Sequence, residues 1–171
     1  MTGTRLQLDG HAWKTMVIAA ADAVERQVDE LSRLDAVVGD GDHGVNVVTA
    51  LRFARSELNT AEDLVPADAM KTLARGFLDE MGGAAGALFG SLFRVMGRSF
   101  GEAKATDAAL FAEGLSGGVE TVMRRGQTSP GDKTMVDALA PAATAATESA
   151  QGGNAVVDAL AAAAALSLIH I

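Results

Sequence analysis

The sequence predicts an all-α protein, folded as one antiparallel helical bundle or barrel over residues 1–171. Three observations carry that reading. Ala and Leu are abundant, while aromatic residues make up only 4% of the chain and Tyr is absent. The strong helix formers are therefore plentiful, and the aromatic and β-branched types that strands favour are sparse. Apolar residues recur at helical spacing, and no segment alternates as a half-buried strand does. With 171 residues, 49% of them hydrophobic, the chain is long enough to bury a full core.

Asp9 is placed to cap a first helix running to about Leu34, with Trp13, Val17, Val24, Val28 and Leu31 on one face. Val38 to Gly44 holds three Gly and two Asp in seven residues, which is loop chemistry. A second helix begins near His43 or Gly44, directs Val47, Val48, Leu51 and Leu58 inward, and closes at Asn59-Thr60. Pro66 opens a third through Phe77, Leu78 and Met81. After Gly82-Gly83, Ala84 to Phe100 is nearly all apolar and reads as a central helix. Asp107 to Arg125 is a fifth helix, followed by the loop Gly126 to Asp132. Lys133 to Ser149 and Gly153 to about Leu166 complete a set of about seven.

The formal net charge of −8 repels polyphosphate backbones, so nucleic acid is not an expected partner, and phosphate binding would call for a divalent cation. The chain has no Cys, which excludes disulfide and thiolate chemistry. Its N-terminus is polar through Asp9, unlike a signal peptide, and the most apolar stretch, Ala159 to Ile169, is shorter than the ~20 residues of a membrane-spanning helix. A cytoplasmic protein without a membrane span is expected.

Three loops hold the chemistry-bearing residues, and each precedes a helix, where unpaired backbone N–H groups and partial positive charge suit phosphate. The first carries Asp35, Asp40 and Asp42 around Gly39 and Gly41, with His43 and Asn46 in the next helical turn. Magnesium takes oxygen ligands and shares its shell between a few carboxylates and substrate phosphates. Three neighbouring carboxylates repel one another, a cost most simply offset by a cation. Taken singly, the same Asp residues also serve as turn formers and helix caps. No later acidic residue completes an EF-hand. The second loop, Gly82-Gly83-Ala84-Ala85-Gly86, either admits a ligand to backbone amides or permits close helix packing. The third, Ser129 to Met135, offers Asp132 as an N-cap and Lys133 as a point charge, or is simply a solvated turn. None of the three is a P-loop.

Together, LDAVVGDGDHGVN (34–46), MGGAAGALFG (81–90) and RGQTSPGDKTMVDALAP (125–141) resemble the L subunit of dihydroxyacetone kinases and the similar C-terminal nucleotide-binding domain of the single-chain ATP-dependent enzymes. The resemblance implies an eight-helix antiparallel barrel with nucleotide at one end. It implies that Asp35, Asp40 and Asp42 chelate two magnesium ions, and that His43, Gly44, Val45 and Asn46 line the ADP/ATP site. Gly83, Ala84 and Ala85 would meet the phosphates through their amides, while Gly126 and Met135 would flank base or ribose. It further implies a dihydroxyacetone-binding K subunit, a phosphotransferase-type M subunit that rephosphorylates bound ADP, and a homodimer as one assembly. Two departures stand out. Ala85 occupies a position where the family often has Ser. The family also continues into a segment with an Arg and an Asp-Pro-Gly turn, and Leu166 to Ile171 breaks the Ala-rich pattern, so a truncated chain with an open apolar seam is expected. A kinase module for another ketose or a fatty acid, and a helical interaction protein with a purely structural acidic loop, are the competing readings.

Overall fold

The computed structural model describes residues 7–169. Its helices are α1 (Gly10–Glu25), α2 (Val28–Asp35), α3 (His43–Thr60), α4 (Pro66–Arg75), α5 (Gly83–Phe100), α6 (Ala108–Gly126), α7 (Val136–Gln151) and α8 (Val156–Ile169). The all-α expectation is borne out, with one helix more than the sequence suggested. The extra helix arises because the expected first helix divides at Arg26-Gln27. No Pro or Gly marks that break, so local sequence does not announce it. Contacts with α3 accompany it: Arg55 pairs with Asp22 and Glu25 at the end of α1, at 2.6 and 3.0 Å, and Arg52 also bonds Glu25. The hydrogen bond from Arg52 holds the Glu25 carboxyl below its ordinary range.

Asp9 caps α1 as expected, accepting from the Ala12 amide at 2.8 Å. Pro66 is the first residue of α4, where its missing N–H costs nothing. That helix continues as a π-helical segment, Gly76–Met81, so the expected helix through Phe77 and Met81 is present in two forms. α8 extends through Ile169 without a break at Leu166, and His170 and Ile171 lie outside the described residues, as does the polar segment 1–6. A short antiparallel pair, Leu8–Asp9 (β1) with Ala105–Thr106 (β2), was not anticipated, since two residues are too few to show alternation.

Neighbouring helices run antiparallel. Along α5, Gly97 lies against Met70 and Ala67, and Gly90 against Leu78 and Ala74, so α4 and α5 pass in opposite directions. On its other side, Gly114 meets Phe100 and Met96, and Gly118 meets Leu92. α5 is therefore central, as its apolar composition implied. Helices α1 to α7 surround an apolar chamber of about 530 Å³ whose lining includes Trp13, Leu51, Met70, Phe89, Phe111 and Leu139. α8 packs outside, on α7 and α6. No helix among the described residues is long and apolar enough to cross a membrane.

The strand pair fastens the chain entry to the start of α6. Buried Thr106 accepts from the Trp13 indole N–H at 2.8 Å and donates to the Leu8 carbonyl at 3.2 Å. Trp13 also packs against Phe100 and Phe111, with ring centroids 5.6 and 6.1 Å apart. Thr106→Val would leave the indole donor unpaired in the core, at a cost of about 1–3 kcal/mol. Urea denaturation should register that loss, and Thr106→Ser should recover most of it.

Candidate functional site

Antiparallel alternation decides where the loops fall. The connections into α3, α5 and α7 all lie at the same end of the bundle, because each is separated from the next by one down-and-up helix pair. His43 at the start of α3, Phe89 in the second turn of α5 and Leu139 in the first turn of α7 all line the chamber, which joins that end to the core.

The acidic loop is built around Asp35, the last residue of α2. Its Oδ2 accepts from the Gly41 amide at 2.9 Å and from the His43 amide at 3.4 Å. Asp35 is half-buried, while Asp40 and Asp42 are exposed, and each offers an oxygen within 4.8 Å of those of the other two. Asp42 occupies the N-cap position of α3, yet its side chain makes no capping bond. Its carboxylate lies with the cluster and does not cap the helix, whereas Asp35 does brace the turn. Two glycines make the arrangement possible. A Cβ on Gly39 would lie 2.4 Å from Asp35 Oδ1, and one on Gly44 would lie 2.2 Å from the Val28 carbonyl oxygen and 2.6 Å from the Ser32 hydroxyl. Gly39 thus leaves room for the Asp35 carboxylate, and Gly44 lets α3 start directly against α2. Half-buried His43 and Asn46 and exposed Val45 follow in the first turn of α3. Three converging carboxylates fit a hard divalent cation, because they supply oxygen ligands and leave further positions to phosphate and water.

The second loop is open. Gly82 and Gly83 take φ of 68° and 64°, and space around both is clear to 4 Å. α5 begins at Gly83, so the amides of Gly83, Ala84 and Ala85 have no intrahelical acceptor, whereas the Gly86 amide bonds the Gly82 carbonyl. Gly83 and Ala84 are exposed and Ala85 half-buried. Ala85 supplies an amide but no hydroxyl.

The third loop departs from the expectation. Asp132 does not cap a helix from Lys133, since α7 begins at Val136 with Met135 at its N-cap. Asp132 accepts from the Ser129 amide at 2.8 Å and the Thr128 hydroxyl at 3.3 Å, bracing the turn from inside. Asp137, passed over by the sequence reading, accepts from the Gly131 amide at 2.5 Å and the Thr134 amide at 2.8 Å. Its signal in the sequence was slight: an acidic residue in the first turn of a helix that follows Pro-Gly. Together these carboxylates hold a turn in which Gln127 and Lys133 are both left-handed, at φ of 50° and 57°. Gly126 sits beside the Leu88 side chain of α5, which joins this loop to the second, and Met135 is half-buried against the core.

The chain spans 87% of its own length in a match to the L-erythrulose kinase of Pectobacterium atrosepticum, at 33% identity over 154 residues, but covers only 26% of that protein. It is 31% identical over 124 residues to the ADP-binding subunit DhaL of the PEP-dependent dihydroxyacetone kinase 1 of Listeria innocua, covering 62% of it. The chain therefore spans between about a quarter and three fifths of these relatives. Its fold is shared with the dihydroxyacetone kinase of C. freundii solved in complex with AMP-PNP and Mg2+, at a TM-score of 0.69 and 24% identity, over 99% of this chain and 36% of that one. The profile of the DAK2 domain matches residues 37–168, a stretch that takes in Asp40 and Asp42, the Gly82–Gly86 loop and the Ser129–Met135 loop. That match covers most of the chain and all three loops, and the chain belongs to the DAK2 domain family.

Proposed function

We propose that this chain is the nucleotide- and magnesium-binding part of a kinase that phosphorylates dihydroxyacetone. The observation that carries the reading is the convergence of Asp35, Asp40 and Asp42 at the end of the bundle where α5 presents free amides. Asp35, Asp40 and Asp42 would hold two magnesium ions, which when bound neutralise phosphate charge and orient the transferring group. The amides of Gly83, Ala84 and Ala85 would meet the phosphates at the positive end of α5. His43, Gly44, Val45 and Asn46 would form the wall beside them, and Gly126 and Met135 would flank the base or ribose. The work of the chain is then positioning and electrostatic stabilisation, with no covalent intermediate on its own side chains.

On this reading the acceptor ketose is held by a K subunit or its equivalent, and ADP stays bound while a phosphotransferase-type M subunit recharges it. Relatives named as ADP-binding subunits of PEP-dependent and PTS-dependent dihydroxyacetone kinases support that arrangement. A second reading, in which the acceptor is the four-carbon ketose erythrulose, is favoured by similarity to three erythrulose kinases at 33–37% identity. Phosphoryl transfer assays with both ketoses separate the two.

Calorimetry with ADP and Mg2+ tests the site. Asp40→Ala and Asp42→Ala should each weaken binding by about 2–5 kcal/mol, the cost of removing one member of a close charge pair, and chelating the magnesium should do the same to the parent protein. Unchanged binding in both variants would refute the assignment. Gly39→Ala should act indirectly, by crowding Asp35, and lower magnesium affinity roughly 10–100-fold. Its helical circular dichroism should match that of the parent.

A further inference from the structure

Lys133 holds φ of 57°, a left-handed backbone that glycine adopts freely and that costs a residue with a Cβ. The residues on either side of it are fixed. Asp132 accepts from the Ser129 amide and the Thr128 hydroxyl, and the Thr134 amide donates to Asp137. Lys133 itself is exposed and makes no hydrogen bond or ion pair among the described residues. Its side chain therefore adds nothing to the fold, and glycine would take the same backbone without strain. Strain kept in place by rigid surroundings is a mark of functional positions.

The place of Lys133 in the bundle says what its ammonium would meet. The π-helical segment leading into α5 packs on α3, while α5 packs on α6 and α6 on α7. The free amides of α5 thus lie between the acidic loop on one side and the third loop on the other. A nucleotide with its base or ribose against Gly126 and Met135, and its outer phosphates on metal ions at Asp35, Asp40 and Asp42, crosses those amides. Its ribose-side phosphate then lies nearest the third loop and farthest from the metal. Lys133 stands two residues ahead of Met135, as a compact charge on a flexible stem that suits a single phosphate. Arg125, the other cation of this loop region, ends α6, where it complements the helix C-terminus.

We infer that Lys133 contacts the ribose-side phosphate of the bound nucleotide and supplies there the counter-charge that magnesium supplies to the outer phosphates. The inference rests on the functional reading above and adds to it a contact that does not depend on the metal.

Calorimetry with ADP, in magnesium and in EDTA, separates the two contributions. Lys133→Met should weaken ADP binding roughly 10–100-fold in both conditions, as the loss of one charged hydrogen bond does, so the gain conferred by magnesium stays as in the parent. Asp40→Ala should do the reverse, removing the gain from magnesium without weakening the affinity in EDTA. Lys133→Arg should recover most of the loss. Lys133→Gly should unfold at higher urea concentration than the parent and still bind ADP as weakly as Lys133→Met. Adenosine, which carries no phosphate, should bind the parent and the Lys133 variants alike, within about twofold. ADP binding at the parent level in Lys133→Met or Lys133→Gly would overturn the inference and leave Lys133 a solvated turn residue. An equal loss for adenosine would also overturn it, by making the role structural, as would a loss confined to magnesium, by moving the contact to the outer phosphates. Failure of the unmodified chain to bind ADP with Mg2+ would instead remove the functional reading itself.

Discussion

The carboxylate of Asp35 accepts hydrogen bonds from the amides of Gly41 and His43, and those two bonds turn the chain from the end of α2 into the start of α3. Most of the candidate site depends on that turn. It brings Asp40 and Asp42 back over Asp35, and it delivers His43 to the mouth of the chamber. The turn leaves no space for a side chain at Gly39, where the carboxylate itself is in the way, or at Gly44, where the Val28 carbonyl is. Asp42, at the N-cap position of α3, makes no capping bond, and its carboxylate stays available to a ligand.

The remaining parts are delivered by helix direction. Alternation of antiparallel helices places the loops before α3, α5 and α7 at one end, however far apart they lie in sequence. The end receives carboxylates from the first loop, free amides from the second and a rigid turn from the third. A bundle built this way separates its duties: apolar contacts around the chamber hold the helices, and the loop residues at one rim are left for chemistry.

The third loop illustrates how such a rim is kept rigid. Left-handed backbone at Gln127 and Lys133 is unfavourable for residues with a Cβ, by about 1–3 kcal/mol each. The carboxylates of Asp132 and Asp137 and the hydroxyls of Thr128 and Thr134 offset that strain by binding the loop amides and one another. Polar side chains here do structural work at a place where the sequence suggested a solvated turn.

Sequence alone determined the helical class, the starts of α1, α3 and α4, the central place of α5 and the identity of the three loops. Each rests on local chemistry: Asp9 as a cap, Pro66 at a first turn, apolar periodicity, and Gly-Asp clusters that cannot continue a helix. The D-x4-D-x-D spacing was likewise enough to mark three carboxylates as one group. Only the tertiary structure decided that α1 and α2 divide at Arg26-Gln27, because the pairing of Asp22 and Glu25 with α3 is long-range and leaves no breaker residue behind. It also decided that α7 starts three residues late, with Asp132 and Asp137 holding the amides of Ser129, Gly131 and Thr134 in a turn ahead of it. Above all it decided that Val37 and Val38 face solvent. The sequence marks Val38 as loop but not which way its side chain or that of Val37 points; the turn around Asp35, set by bonds to residues six and eight positions along the chain, carries both outward.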